Sequence, residues 1–520
     1  MQRILAPAAL GWLAINLWSI HRSALPYTTD ELQYWLWSEA LAWGYYSKPP
    51  GIAFAMAQWR LIDPHADFLR ALPQLLLLLA CLLVHPLARA AGLPGRQAGM
   101  AALLMACIPF IGFAQWFATT DSLLLLFWNA ALVAGWHALR TGAPGAWAVL
   151  GLVGALGVLS KHFMPLFLLG LSAYAVWEKR TDAPFWRGVA LAALVAGLVL
   201  LPHLLWLFSH PENTLAHLAD LQGARGRSEA DQGSAWWRGI GFALAQAVGI
   251  GPLLIPFVFL VRRQATPTVN RPGMDAAPAN AATPTAAASL PGSTCDRWLL
   301  CQSLPVLALF VAQAAWKQAY ANWALPAAFT LGVWLLIVLM RRAAWGLLAG
   351  WLLSNILLMA CINHAPLVLH RLLVEPSPFN LTAADPQGSA AWIDRIDPFR
   401  RQRGWDVWIA SLEALNKPAL VAWAVRDRDS AARIRHAFPQ DRLVYQALPG
   451  APTHHYALHF APGATGDSGA PAYGCLWVVE RGAAQLPAQA TAPQTIAQLT
   501  RPRLGGSYET WIVREQSCAR

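Results

Sequence analysis

Long runs of apolar residues alternate with short polar breaks along this chain. Most runs approach the ~20 residues that a helix needs to cross a hydrocarbon core of ~30 Å. On that rule the sequence predicts about eleven spans, at 4–21, 69–90, 97–117, 121–139, 145–160, 162–178, 188–208, 237–261, 297–316, 322–340 and 343–363. The runs at 145–160 and 162–178 are short and closely spaced. The segment from Ile4 to Ile20 lacks a small-residue cleavage site and reads as the first span, not as a leader.

Three stretches depart from this rhythm. Residues 22–68 form a long outer loop, in which Glu31 to Trp43 reads as an interfacial helix on the membrane surface. Residues 264–296, rich in Ala, Pro and Thr, read as a disordered cytoplasmic linker. From 365 to 520 the composition becomes that of a soluble domain. Short apolar runs at 419–423, 476–479 and 510–513 alternate there with helical stretches around 399–415 and 427–437, the pattern of a small α/β domain. The expected architecture is therefore mainly α: a polytopic helical bundle over 1–364 and an α/β domain over 365–520.

Composition supports this picture. The 520 residues are 56% hydrophobic and 12% charged, against about 25% charged in soluble domains. The net charge of +11 would suggest nucleic acid in a soluble protein, but here the basic residues sort by membrane side. With the amino terminus inside, alternate gaps hold Arg89 and Arg96, Arg140, Lys179 with Arg180 and Arg187, Arg262 with Arg263 and Arg271, and Arg341 with Arg342. That is the positive-inside bias, and an odd span count puts the carboxyl-terminal domain outside. The seven cysteines show no zinc-type spacing. Cys81, Cys107, Cys295, Cys301 and Cys361 read as buried small hydrophobes. Cys475 and Cys518 fall in the outer domain, where two free thiols and a disulfide are both open.

Candidate chemistry gathers at outer helix ends. Asp30 and Glu31 lie just past the first span, followed by aromatics and by Lys48-Pro49-Pro50. Alone, Asp30 would be an ordinary helix cap; a carboxylate pair with a lysine at a membrane surface is costly unless it acts on something. Asp121, in Thr119-Thr120-Asp121-Ser122, is either a cap or a second acidic site at the same level. Lys161 either ends a span or contacts a phosphate. Arg225 and Arg227 are the outer-loop arginines suited to an anion. His203, His210 and His217 repeat every seven residues, but Pro211 interrupts the helix that would align them as a metal triad. Asn322-Trp323 opens a later span with a polar, aromatic entry.

Together these residues resemble a known family. Asp30-Glu31 with Tyr34-Trp35-Leu36-Trp37, Trp43-Gly44-Tyr45 and Lys48-Pro49-Pro50 resembles the first outer loop of the bacterial branch of the dolichyl-phosphate-mannose protein mannosyltransferase family, which includes enzymes similar to the lipid A aminoarabinose transferase. Thr120-Asp121, Leu159-Ser160-Lys161, Ala321 to Ala327 and Arg403-Gly404-Trp405 resemble its later signatures, in order. The resemblance implies a C-type glycosyltransferase fold (GT-C) and a polyprenyl-phosphate-sugar donor. It departs at Ser47, where family members often carry an acidic residue or histidine.

On this reading Asp30 is the general base, and Glu31 orients it or binds substrate. Lys48, Lys161 and Arg225 or Arg227 hold the phosphate, with Tyr45 and Trp323 lining the donor site. The expected displacement is direct and inverting. It requires no cofactor; a divalent metal stays open as an addition, with no ligand set assigned. The expected partners are a polyprenyl-phosphate-linked sugar, the bilayer, and an acceptor hydroxyl or phosphate on lipid A, a glycan, a lipid or a protein; nucleic acid is not among them. The Ala-rich single chain looks bacterial, with the site facing the periplasm from the plasma membrane. A lipid transporter or flippase is the alternative, though its polar residues belong at the midplane. A membrane-anchored assembly factor leaves the first-loop cluster unexplained.

Overall fold

The computed structural model describes residues 2–23, 25–178, 182–210, 234–252, 293–317, 319–373, 391–415, 421–445, 475–481, 494–503 and 508–518. The bundle is built in order from α1 (Gln2–Arg22), α2 (Thr29–Trp37), α3 (Gly51–Trp59), α4 (Ala71–Leu82), α5 (Val84–Ala90), α6 (Gly95–Met105), α7 (Pro109–Ala114), α8 (Thr120–Thr141), α9 (Pro144–Ser160), α10 (Leu166–Trp177), α11 (Ala183–Ser209), α12 (Ala235–Ile250) and α13 (Ser293–Trp316). A 3-10 turn (Ala321–Ala324) then runs into α14 (Leu325–Arg341), followed by α15 (Trp345–Leu373).

Among the described residues, seven helical stretches are long and apolar enough to cross a membrane: Arg3–Arg22, Ala71–Ala90, Thr120–Thr141, Ala183–Ser209, Thr294–Trp316, Ala321–Arg341 and Trp345–His364. Pro144–Ser160 and Leu166–Trp177, the two short runs of the sequence, are apolar helices below that length. The run at 97–117 divides into α6 and α7, because Ile108 before Pro109 is extended (φ −73°, ψ 150°), the conformation a following proline imposes. The run at 237–261 is helical as far as Ile250, and 253–261 lie outside the described residues. So does the expected linker, except that 293–296 already open α13.

Leu194, Leu198 and Leu205 of α11 are each about 60% exposed, as a helix facing lipid requires, since hydrocarbon imposes no penalty on apolar surface. Cys361 on α15 is likewise exposed, whereas Cys81, Cys107, Cys295 and Cys301 are buried. Basic residues collect at one end of the bundle. There Arg341 pairs with Asp296 at 2.7 Å and donates to the Ala91 carbonyl at 2.7 Å, and Arg297 pairs with Glu178 at 2.9 Å.

The tail domain packs at the other end. It comprises α16 (Ala391–Ile396), α17 (Trp405–Glu413), β1 (Val421–Val425), α18 (Arg428–Ala437), β2 (Arg442–Tyr445), β3 (Cys475–Arg481), β4 (Gln494–Pro502) and β5 (Tyr508–Cys518). The sheet order is β2-β1-β3-β5-β4. β1 runs parallel to β2 and β3, and β5 is antiparallel to β3 and β4. All five residues of β1 are buried, as a strand covered on both faces must be. The register sets Cys475 opposite Cys518. Gly404 has φ +76°, and a Cβ there would lie 2.2 Å from the Pro502 carbonyl oxygen. That close approach slots Trp405 between Arg433 and Arg501, whose guanidinium carbons stand 4.6 and 4.3 Å from its ring, a double cation–π contact.

Helix α2 belongs to both halves. Leu32, with Leu36 against it, enters the tail core beside Trp405, Trp408, Trp423 and Trp511. Tyr34, Trp35 and Trp37 pack instead with Ile52, Met56, Leu69, Leu72 and Leu123 of the bundle. Hence the helix expected to lie on the membrane surface is clamped between two cores, and it stops at Trp37 short of the expected Trp43. Burying Leu32 against the tail contributes about 1.5–3 kcal/mol to the docking.

Candidate active site

The first loop supplies the acidic pair, and local chemistry sends its two carboxylates in different directions. Thr28 Oγ1 accepts from the Glu31 amide at 3.1 Å, and Glu31 Oε2 accepts from the Thr28 amide at 2.7 Å. This reciprocal capping box satisfies two amides at the start of α2. Glu31 Oε1 accepts from the Ala118 amide at 3.0 Å and faces Arg70 Nε at 3.5 Å. With both oxygens engaged and no exposed surface, Glu31 ties α2 to the turn before α8.

Asp30, one residue earlier, points the other way. Its Oδ1 pairs with Arg428 Nη2 at the start of α18, and Arg428 Nε donates to Gln33 Oε1 at 2.8 Å. Thr29 donates to Asp429 beside this pair. The Asp30 side chain keeps 48% of its surface accessible although protein surrounds it on several sides, so it lines a cleft. Those surroundings alone would raise its pKa; Arg428, Lys48 and Arg401 outweigh them and hold the carboxyl below its ordinary value.

Lys48 reaches the same cleft from a loop pinned at Tyr45. The Tyr45 ring stacks on Trp37 at 4.2 Å and 7°. Its hydroxyl lies 3.1 Å from the Trp37 carbonyl and accepts from the Ala42 amide at 3.1 Å. Tyr45 therefore shapes the loop. After Pro49-Pro50, a Cβ on Gly51 would stand 2.6 Å from the Leu159 carbonyl oxygen, so the loop abuts the end of α9 and brings Lys48 near Lys161. Burial and the Lys161 charge lower the Lys48 pKa, while Asp30 and Asp121 oppose them. Among the described residues, Lys48 makes no ion pair within 4.0 Å.

The bundle supplies the remaining polar groups. Lys161 Nζ donates to Asp121 Oδ1 at 2.6 Å, and Asn322 donates to Asp121 Oδ2 at 3.1 Å. Three chain segments thus meet on one carboxylate. Lys161 Nζ also stands 5.2 Å from the Phe163 ring. Trp323 packs edge-on against Phe163 and Tyr320, each at 5.4 Å, and walls this side of the cluster. His203 lies 2.6 Å from the Trp43 carbonyl and 3.5 Å from His162. It meets His162 instead of the sequence-spaced His210, which lies against Trp206. Among the described residues, no three His, Cys, Asp or Glu side chains gather as a metal site. Arg225, Arg227 and His217 lie outside the described residues.

Asp30, Lys48, Asp121, Lys161 and Trp323 therefore assemble at one end of the bundle, with Glu31 and Tyr45 directly behind them. Sequence reasoning missed Arg401 and Arg428. The available signal was the run Arg426-Asp427-Arg428-Asp429 at the carboxyl end of the parallel strand β1, where α/β sheets commonly place ligand-binding groups. Four cations, Lys48, Lys161, Arg401 and Arg428, face two carboxylates, Asp30 and Asp121. The excess positive charge suits a phosphate.

The chain is similar to several known proteins. The family described as dolichyl-phosphate-mannose-protein mannosyltransferase matches residues 47–206. The lipid A galacturonosyltransferase of Rhizobium johnstonii is 30% identical over 332 residues, 62% of this chain and 64% of that protein. The undecaprenyl phosphate-alpha-4-amino-4-deoxy-L-arabinose arabinosyl transferase of Pseudomonas aeruginosa is 37% identical over 134 residues, 24% of each chain. Crystal structures of ArnT from Cupriavidus metallidurans, apo and bound to undecaprenyl phosphate, superpose with a TM-score of 0.58 over 98% of this chain. Their sequence identity is 14% and 15%, so that likeness shows the fold. The chain is similar to these sugar transferases, and its fold is the GT-C fold of the ArnT structures. The matched segments span under two thirds of the curated relatives' own lengths.

Proposed function

We propose that this chain, with its GT-C fold, is an integral-membrane glycosyltransferase that moves a sugar from an undecaprenyl-phosphate donor to lipid A. The observation that carries the reading is an accessible carboxylate, Asp30, beside Lys48, which has no ion-pair partner among the described residues. Asp30 takes the proton of the acceptor hydroxyl as its oxygen attacks the anomeric carbon from the face opposite the phosphate. The C1–O bond breaks with its electron pair leaving on the phosphate, and the product is inverted. Lys48 and Lys161 meet the growing charge. At an effective dielectric of about 20, each cation ~4 Å from a phosphate contributes about 4 kcal/mol before desolvation, so two lysines matter more than one. Glu31 fixes α2 and hence the aim of Asp30. Arg225 and Arg227 are further candidates for the phosphate, and Asp121 positions Lys161.

The excess of cations favours a neutral or acidic sugar over an amino sugar, and Ser47 adds no negative charge to the loop. The charged groups of the cluster lie at helix ends and not at their middles, which supports transfer over carriage.

Reconstitution of the full chain in nanodiscs with lipid A and, separately, undecaprenyl-phosphate-linked uronic acid, neutral hexose and aminoarabinose tests the reading by mass spectrometry. A sugar-sized mass gain is expected with one of the first two donors. In Asp30→Asn the turnover should fall about 10²-fold or more while undecaprenyl phosphate still binds. No transfer from any donor, or wild-type turnover in Asp30→Asn, overturns the proposal.

A further inference from the structure

We propose that Arg428 is a donor-binding residue of the transfer site: it holds Asp30 while the site is empty and moves onto the donor phosphate when the donor enters, freeing Asp30 for the acceptor proton. This inference rests on the glycosyl-transfer reading of the same cleft. The geometry supplies both ends of the exchange. The backbone of Arg428 is fixed, because Asp427 caps α18 by accepting from the Ser430 amide at 2.8 Å and Arg426 pairs with Glu480 at 2.6 Å. Its side chain is not enclosed: Arg428 is 36% and Asp30 48% accessible at their contact. The Nε–Gln33 bond at 2.8 Å can persist while the Nη groups change partner, so Gln33 acts as a pivot.

Relative strengths give the direction of the exchange. Ion pairs this exposed contribute little, because water and salt screen them. A guanidinium fork on a phosphate makes two charge-assisted bonds in matched geometry. Exchange from carboxylate to phosphate is therefore downhill. It also resolves a conflict in the resting arrangement, since a carboxylate neutralised by arginine is a weak base. During transfer the acceptor proton moves to Asp30 as the acceptor oxygen bonds to C1. The phosphate leaves with the C1–O electron pair, and its charge rises from about −1 to about −2, which Arg428 meets. When the lipid phosphate departs, Asp30 gives its proton to water and Arg428 returns to it.

The groups facing Asp30 are Arg428 from α18, Lys48 from the first loop, Arg401 from the segment before α17 and Tyr34 on α2 itself, with Lys161 and Asp121 beyond Lys48. Removing Arg428 alone leaves the other cations, so the acid limb of kcat/KM, which reports the free enzyme, should move up without reaching an unpaired buried carboxyl. In nanodiscs, Arg428→Gln is expected to raise the donor KM and the Kd for undecaprenyl phosphate about tenfold or more, the usual loss for a charged hydrogen-bond partner. Arg428→Lys should restore most of the pH limb and little of the affinity, because it keeps the charge and lacks the fork. Thr29→Val, which removes the adjoining contact to Asp429 and no charge, separates chemistry from domain docking and should move neither readout. Overturning results are an unmoved limb and affinity in Arg428→Gln, or both effects reproduced by Thr29→Val. The undecaprenyl phosphate Kd needs no turnover, so it judges Arg428 even if every donor fails to react.

Discussion

Lys161, at the end of α9, donates to Asp121, at the start of α8, across 2.6 Å, with both side chains nearly sealed (10% and 12% accessible). Two helix ends are thereby locked at the level of the cleft, and the ammonium is aimed by a carboxylate that makes no other ion pair within 4.0 Å among the described residues.

Loss of either partner should be severe. Asp121→Asn or Lys161→Met leaves an uncompensated charge in a nearly dry site, a cost of about 3–5 kcal/mol. The double variant should recover much of that stability without recovering affinity for undecaprenyl phosphate. Thermal unfolding in nanodiscs, paired with lipid binding, separates the two effects; single variants within about 1 kcal/mol of wild type contradict the assignment.

Affinity for undecaprenyl phosphate should depend on the Lys48 proton. Burial and Lys161 lower the Lys48 pKa, and the phosphate needs the ammonium, so binding should weaken as pH rises through that lowered value, below the ordinary lysine range. Lys48→Arg should carry binding to higher pH. Stability of the empty protein has the opposite sign. Between the folded and unfolded pKa values the unfolded chain holds more protons, so the empty fold gains stability from this group as pH rises across that window. A binding titration from pH 7 to 10 checks the first effect, and denaturation over the same range checks the second.

Gly404→Ala tests the tail. A side chain at φ +76° costs about 1–2 kcal/mol, and its Cβ would be 2.2 Å from the Pro502 carbonyl oxygen. The expected result is faster proteolysis of the tail and displacement of Trp405, read as a change in tryptophan fluorescence. Unchanged proteolysis would show that the strand end yields without consequence.

Much of this arrangement was legible in local sequence. Asp30, Lys48 and Pro49-Pro50 are neighbours, and the tail strands β1, β3 and β5 appeared as short apolar runs. Two strands did not: β2 is four residues long, and β4, Gln494–Pro502, lacks an apolar run. The capping contact of Glu31 is encoded in Thr28-Thr29-Asp30-Glu31, a capping-box pattern. Ile108 followed from Pro109 in the same way. The pairing of Asp121 with Lys161 and Asn322 was not legible, since helix lengths and tilts decide which polar ends meet. Arg428 is 398 residues from its carboxylate, and no periodicity spans such a gap.

Orientation rests on the basic-residue bias. A reporter active only in the periplasm should give signal when fused after residue 520 and none when fused after residue 275. The reverse result would turn the cleft to the cytoplasm.

The seating of Leu32 in the tail core, beside the Asp30–Arg428 contact, has a consequence for biogenesis. The carboxylate is made before its guanidinium partner, which emerges some 400 residues later. At about 5–20 residues per second, that delay is roughly 20–80 s. Throughout that interval the cleft of the nascent bundle stays half-built. Completion waits for the tail to arrive and close on α2, so a truncated product would carry Asp30 and both lysines, keep the Glu31 tie to Ala118, and still lack Arg428, Arg401 and the tail core around Leu32.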